Sequence, residues 1–252
     1  MLFRSSLAAM ASNDLEGTSV EDMKYEDVLY EEKNGVAYIT VNRADRLNAY
    51  RMGTYEEVTH ALHRAGWDPA VGCIVLTGAG DVFCAGGNLN RLLENRAKDR
   101  SVQVNSIDQL HSWVAALRDC SKPVIAAVEG PAAGAGFSLA MACDLIVAAE
   151  SAKFVMAYVK VGLTPDGGGS WFLSRALPRQ LATEILLEGQ AVSAARLHQA
   201  GVVNRVVADG TALDAALQWA GQLSALSPNA SASVKSLLND APANTLSAHF
   251  NA

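Results

Sequence analysis

Cysteine is scarce in this chain. Cys73, Cys84, Cys120 and Cys143 form no C-x-x-C pair, and each lies in an apolar or small-residue context. That excludes a cysteine-built redox or zinc motif and points to reduced thiols with structural roles. No apolar run reaches membrane-spanning length. Excess positive charge is also missing: Lys and Arg total 20 against 26 Asp plus Glu, a net charge of −6. Such a balance argues against a general nucleic-acid binder. There is no long-period repeat and no low-complexity linker. Half of the 252 residues are hydrophobic, enough for one large domain with a sizeable core.

What is present centres on Lys122 to Gly169. Val124 to Val128 is a short apolar run between Pro123 and Glu129-Gly130, the pattern of a buried strand. Gly134, Ala135 and Gly136 follow, and Phe137 to Cys143 then reads as an apolar helix. A strand that turns through small residues into a helix leaves backbone N–H groups aimed at one point, backed by the helix dipole. Such a point holds an anion or a developing oxyanion. Downstream, Asp166 is the one carboxylate in a run of small and apolar residues. Two readings stand side by side. Asp166 moves a proton beside the oxyanion, or it caps a helix starting at Gly167, since Asp is a favoured N-cap.

Around this stretch the chain alternates strands and helices. Val28–Tyr30 and Val36–Val41 are strand-like, and Asn34-Gly35 predicts a tight hairpin. Tyr50 to Ala65 has helical spacing, and Val71 to Thr77 is a strong strand. Phe83-Cys84-Ala85-Gly86-Gly87-Asn88-Leu89 is a second small-residue turn leading into a helix. Residues 95–108 read as polar and mobile, Leu110–Leu117 as a helix and Leu145–Ala148 as a strand. Helices are expected at Leu181–Leu187, Ala194–Ala200, Ala212–Leu226 and from Ser231, with a strand-like run at Val202–Val207. The recurrence favours an α/β fold with parallel strands joined by crossovers. Residues 1–22 lack periodicity and read as a flexible extension. Residues 23–207 read as the core. Residues 208–252 read as a helical region whose last stretch, Asn239 to Ala252 with Pro242, is loop.

Several motifs, in order and spacing, resemble the crotonase family, the enoyl-CoA hydratase/isomerase superfamily. They are Arg46-Leu47-Asn48-Ala49, Phe83 to Leu89, Lys122-Pro123-Val124 through Cys143-Asp144, Phe154, Gly162-Leu163 with Gly167-Gly168-Gly169, and Ser193-Ala194 to Val207. The likeness spans roughly Met23 to Leu238. It implies a ClpP/crotonase-like spiral of β-β-α turns with a helical C-terminal part. It also implies homotrimers, often paired into hexamers, acyl-CoA thioester substrates, no cofactor beyond the coenzyme A that enters with substrate, and a cytoplasmic location.

Carried over motif by motif, the resemblance places an oxyanion hole at the N–H groups of Gly87 and Ala135. One such donor is typically worth about 3 kcal/mol. Glycine-rich turns also merely let backbone pack closely, and either turn alone would suggest no more. Family hydratases carry glutamates where this chain has Ser138 and Tyr158, and neither residue replaces a carboxylate at neutral pH. Asp166 resembles the aspartate of family isomerases. The run from Phe154 to Trp171 is most similar to isomerases of phenylacetyl-CoA degradation and related enoyl-CoA isomerases. The implied reaction moves a double bond from a 3-enoyl to a 2-enoyl thioester, with Asp166 as shuttle. Ala85, Gly86, Asn88, Leu89, Gly134, Ser138, Tyr158 and Arg46 would line the substrate site.

Other features carry rival readings. Gly136-Phe137-Ser138-Leu139-Ala140 is similar to a nucleophile elbow, but His198 and His249 lack the context of a triad. Ser138 is therefore expected to line the pocket or fill a small space, and to resist a fluorophosphonate. Glu129 is a reserve second carboxylate, and a displaced-carboxylate hydratase is the alternative enzyme. A binding-only homologue is the non-catalytic alternative. His60 and His63 are three apart with no further ligand evident, so no metal is expected and His60, His63 and His111 read as surface residues.

Overall fold

A computed structural model describes residues 23–87 and 99–250. The strands β1 (Val28–Lys33) and β2 (Val36–Val41) pair antiparallel. Asn34 and Gly35 join them with φ of 53° and 77°, the backbone a two-residue hairpin requires. Next, α1 (Met52–Trp67) buries Tyr55, Val58, Leu62 and Ala65. Strand β3 (Cys73–Gly78) is buried throughout and runs parallel to β2.

Helix α2 (Arg100–Asp119) corrects the expectation of a mobile polar segment over residues 95–108. Residues 95–98 lie outside the described residues, but from Arg100 the chain is helical. Asp99 caps this helix by accepting the Ser101 N–H at 2.8 Å. The apolar series that Leu110, Trp113 and Leu117 bury extends back through Val104 and Ile107 as exposed residues. A helix whose first turns face solvent has too few apolar residues there for periodicity to reveal it.

The chain continues through β4 (Val124–Val128), β5 (Pro131–Ala133), α3 (Ala135–Ala142), β6 (Leu145–Ala149) and β7 (Lys153–Val155). A 3-10 turn (Ala157–Val161) leads to α4 (Gly169–Ala176) and α5 (Arg179–Glu188). Then come β8 (Ala191–Ser193), α6 (Ala194–Gln199), β9 (Arg205–Val207), α7 (Ala212–Ser224), α8 (Pro228–Asp240) and α9 (Leu246–His249).

The strands form two sheets. The larger has the order β1-β2-β3-β4-β6-β9, parallel except for the first hairpin, and the smaller has the order β5-β7-β8. A repeating unit generates both. A long strand enters the large sheet, a short strand turns into the small one, and a helix returns. Strands β4 and β5 with α3, and β6 and β7 with α4, are two copies. A third begins at β3, after which Cys84 bridges Ala132 of β5. The short strands escape a reading of sequence because segments of three residues are too short to show a period.

Strand β4 explains the layering. Val124, Ala126 and Val128 belong to the core that holds the buried residues of α1, α2 and α3, whereas Ile125 and Ala127 belong to the one that holds Ala216 and Ala220 of α7. Alternation of this kind places a buried strand between two helical layers. Helix α7 presents Ala212, Ala216 and Ala220 as a fully buried stripe at four-residue spacing, which lets its backbone lie close to the sheet.

Helix α8 is fastened by one buried cation. Lys235 is 6% exposed, and its Nζ meets Asp144 at 2.7 Å and the carbonyls of Leu117 and Lys122. Asp144 also accepts the Val124 N–H, so it braces the start of β4. The tail beyond is not all loop, contrary to expectation. Residues Ala241–Ala243 form a 3-10 turn, and Thr245 caps α9 by accepting the Ala248 N–H at 3.2 Å. Pro242 sits in the first turn, where a missing N–H is harmless.

Candidate active site

The site forms where the two small-residue turns meet. Each turn is laced to the other through backbone. Cys84 N–H donates to the Pro131 carbonyl at 3.1 Å, and Ala133 N–H donates to the Cys84 carbonyl at 2.8 Å. A third segment closes the arrangement from behind. Tyr50 N–H donates to Gly86 O, and Ala85 N–H donates to Leu47 O. Asn48, fully buried, ties that segment to the end of β3 by donating to the carbonyls of Ala79 and Val82.

Only glycine fits at position 86. Its φ is +85°, and a Cβ there would lie 2.6 Å from Ala133 O and 3.4 Å from Ala135 N. So the turn that carries Gly87 packs directly on the turn that carries Ala135. The Gly86 N–H is itself occupied, donating to Cys84 Sγ at 3.0 Å. By contrast, no hydrogen bond among the described residues takes up the N–H of Gly87 or of Ala135. Ala135 is the first residue of α3, eight residues long, with Gly134 preceding it at φ 54°. Its N–H therefore carries the positive end of that helix. Two donors that no described residue takes up, on abutting turns, suit an oxyanion.

Asp166 is tied to the same region through Tyr158 and Ser138 and is not a helix cap. Helix α4 starts at Gly169 with Gly168 as its N-cap, and that cap has no side-chain hydrogen bond. The Asp166 carboxylate instead accepts the hydroxyl of Tyr158 through Oδ1. Its main-chain carbonyl accepts Ser138 Oγ at 2.9 Å and Gly169 N–H at 3.1 Å. Burial pushes the Asp166 carboxyl above the usual carboxylate range, against the pull of the Tyr158 hydroxyl and the imidazole of His111. Burial, reinforced by the Asp166 charge, also raises the Tyr158 phenol, so that side chain keeps its proton and donates.

The remaining predicted residues fall into place around this pair. Ser138 is wholly buried on α3, its hydroxyl bound to main-chain carbonyls. Among the described residues no histidine hydrogen-bonds to it, and His198 Nδ1 faces the Val203 carbonyl. Gly134 stands against Tyr158, whose hydroxyl would lie 3.4 Å from a Cβ at that position. Ala85 and Gly86 build the first turn. Arg46 is exposed and paired with Asp45, so its side chain belongs to the surface. Asn88 and Leu89 lie outside the described residues.

Glu129 is not a second carboxylate of the site. Its two oxygens accept the N–H groups of Gly210 and Ala212 at 2.7 and 3.2 Å, where it caps the start of α7. Among the described residues no group of three or more His, Cys, Asp and Glu is placed to hold a metal ion, and no helix is long and apolar enough to cross a membrane. His111 is exposed on α2, as expected of a surface residue, and its imidazole favours the ionised Asp166. Tyr50 and Asn48 belong to the site's frame, and nothing local in the sequence marks either as such.

Known proteins share this architecture. The sequence profile of the enoyl-CoA hydratase/isomerase family matches residues 31–252. The chain is 38% identical over 230 residues to a 1,2-epoxyphenylacetyl-CoA isomerase of Escherichia coli, covering 88% of this chain and 85% of that protein. It is 36% identical over 226 residues to a probable enoyl-CoA hydratase of Mycobacterium leprae, covering 89% and 85%. A crystal structure of an enoyl-CoA hydratase from Polaromonas sp. JS666 superposes with a TM-score of 0.87 at 50% identity, covering 89% of this chain and 87% of that one. The fold is thus the crotonase fold, and the chain belongs to the enoyl-CoA hydratase/isomerase family.

Proposed function

We propose that the protein is an enoyl-CoA isomerase that moves a double bond from the 3- to the 2-position of an acyl-CoA thioester. The observation that carries this reading is the carboxylate inventory of the site. Asp166 is held beside Tyr158 and Ser138, Glu129 caps α7, and by the family resemblance Ser138 and Tyr158 occupy positions where hydratases carry glutamates. Adding water to a double bond calls for one group to activate the water and another to protonate carbon. Isomerisation needs one group that takes a proton and returns it.

In the proposed reaction the thioester oxygen accepts hydrogen bonds from Gly87 N–H and Ala135 N–H. Asp166 removes a proton from C2, and the electron pair spreads over the conjugated dienolate, its charge on the thioester oxygen. The protonated carboxyl then delivers that proton to C4, leaving the conjugated 2-enoyl thioester. No net proton, water or electron enters. A carboxyl raised by burial is a better base when ionised and a ready acid when protonated.

The relatives include an isomerase and several hydratases, and hydration is the second reading. One experiment separates them. The protein is incubated with 3-hexenoyl-CoA and, separately, with 2-hexenoyl-CoA while absorbance of the conjugated thioester is followed. A gain from the 3-enoyl substrate that Asp166→Asn abolishes supports isomerisation. Loss of absorbance from the 2-enoyl substrate means water addition and refutes the present assignment. A homotrimer, or a pair of trimers, is the proposed assembly, to be measured by light scattering on the purified protein.

A further inference from the structure

We propose that Tyr158 is the positioning residue of Asp166: its hydroxyl engages Oδ1 and leaves Oδ2 as the oxygen that carries the proton. This assigns Tyr158 a different role from a substrate contact, and it rests on the reading of Asp166 as the base. The phenol has one O–H, and that donor is already used on Asp166.

The surrounding contacts fix both partners. Asp166 is held by its main chain from two helices, through Ser138 Oγ of α3 and the N–H of Gly169 in α4. Tyr158 is held by its own carbonyl, which accepts the Leu163 N–H at 3.0 Å, and by close packing on Gly134. Gly134 immediately precedes Ala135. Tyr158 therefore connects the carboxylate to the residue beside the second oxyanion donor. A carboxylate on an aspartate side chain rotates about two bonds, and both oxygens are otherwise equivalent. A hydrogen bond to one oxygen stops that rotation and makes the other the free one. Tyr158 keeps its proton throughout, and the transferred proton travels only between carbon and Oδ2.

Among the described residues, the titratable groups acting on Asp166 are Tyr158, from the 3-10 turn, and His111, from α2. Both favour the ionised carboxylate, so each must be varied separately. The measurement is an infrared difference titration of protein carrying 13C-labelled aspartate carboxyls. The Asp166 band is identified by its loss in Asp166→Asn. Tyr158→Phe removes the donor and keeps the ring. It is expected to raise the apparent pKa of Asp166 by about one to two pH units and to move the acid limb of kcat/KM the same way. Uniform replacement of tyrosine by 3-fluorotyrosine strengthens the donor and is expected to lower that pKa, which keeps the test open if Tyr158→Phe folds poorly. His111→Gln gives the imidazole's share and should leave the Tyr158 effect in place.

An unmoved Asp166 band in Tyr158→Phe overturns the proposal, as does a rise in KM with kcat and the acid limb unchanged, the mark of a substrate contact. The two readings fail differently. A shifted band without turnover of the 3-enoyl substrate keeps the positioning pair and discards the isomerase. Turnover that survives Asp166→Asn discards the base, whatever the band does.

Discussion

A methyl group at Gly86 tests whether the two turns must touch. In Gly86→Ala the added Cβ would lie 2.6 Å from Ala133 O. The obstacle is backbone on both sides and cannot rotate away. An ordinary carbon–oxygen contact is about 3.3 Å, so the turns bearing Gly87 and Ala135 must part by roughly 0.7 Å. Alanine held at positive φ costs about 1–2 kcal/mol as well. Losing one oxyanion donor lowers kcat by roughly 100- to 1000-fold, and a misplacement of about 1 Å reaches roughly 100-fold. We expect kcat on 3-hexenoyl-CoA to fall about 100-fold, a barrier change of about 2.7 kcal/mol.

A matched control removes the ambiguity with stability. Gly201 has φ +81°, and nothing stands within 4 Å of a Cβ there. Gly201→Ala therefore carries the same backbone penalty without the clash. Both variants should melt lower, by about 2–4 °C for each kcal/mol in a domain of this size. Only Gly86→Ala should lose turnover. Near-normal kcat in Gly86→Ala, or an equal loss in Gly201→Ala, refutes the claim that contact between the turns builds the site.

Two further outcomes concern stability. Because the native state raises the Asp166 pKa, folded protein binds that proton more tightly than unfolded chain does. Stability from this group is complete below the unfolded pKa and is lost as pH rises through the native one. Asp166→Asn should thus lose turnover yet melt above wild type near pH 8, with the gap closing toward about pH 4; a lower melting temperature near pH 8 contradicts this. Lys235→Ala leaves Asp144 and two carbonyls without their cation. It should cost about 3–5 kcal/mol, read from urea denaturation with an unchanged slope, and a loss below about 1 kcal/mol would mean the pair is only a surface contact.

Much of the frame is legible in the residues themselves. Asn34-Gly35 determines the first hairpin because positive φ is needed there and these residues allow it. The run Val124–Val128 determines the central strand, since apolar residues on both faces suit only a buried one. Small residues at 84–87 and 134–136 announce two places of close backbone approach. These are properties of neighbours along the chain.

Tertiary structure decided what local pattern cannot carry. Along the chain Asp166 is open between cap and base; the fold removes the cap, since its carboxylate meets Tyr158 and α4 begins at Gly169. Glu129 is a carboxylate of open role in the sequence, and it becomes a cap only because α7, 83 residues later, starts against it. The Gly86 turn and the Ala133–Ala135 turn meet because β3 and β4 lie side by side in the large sheet. Periodicity and turn chemistry act over a few residues, whereas a catalytic carboxylate is defined by which distant groups desolvate it and donate to it.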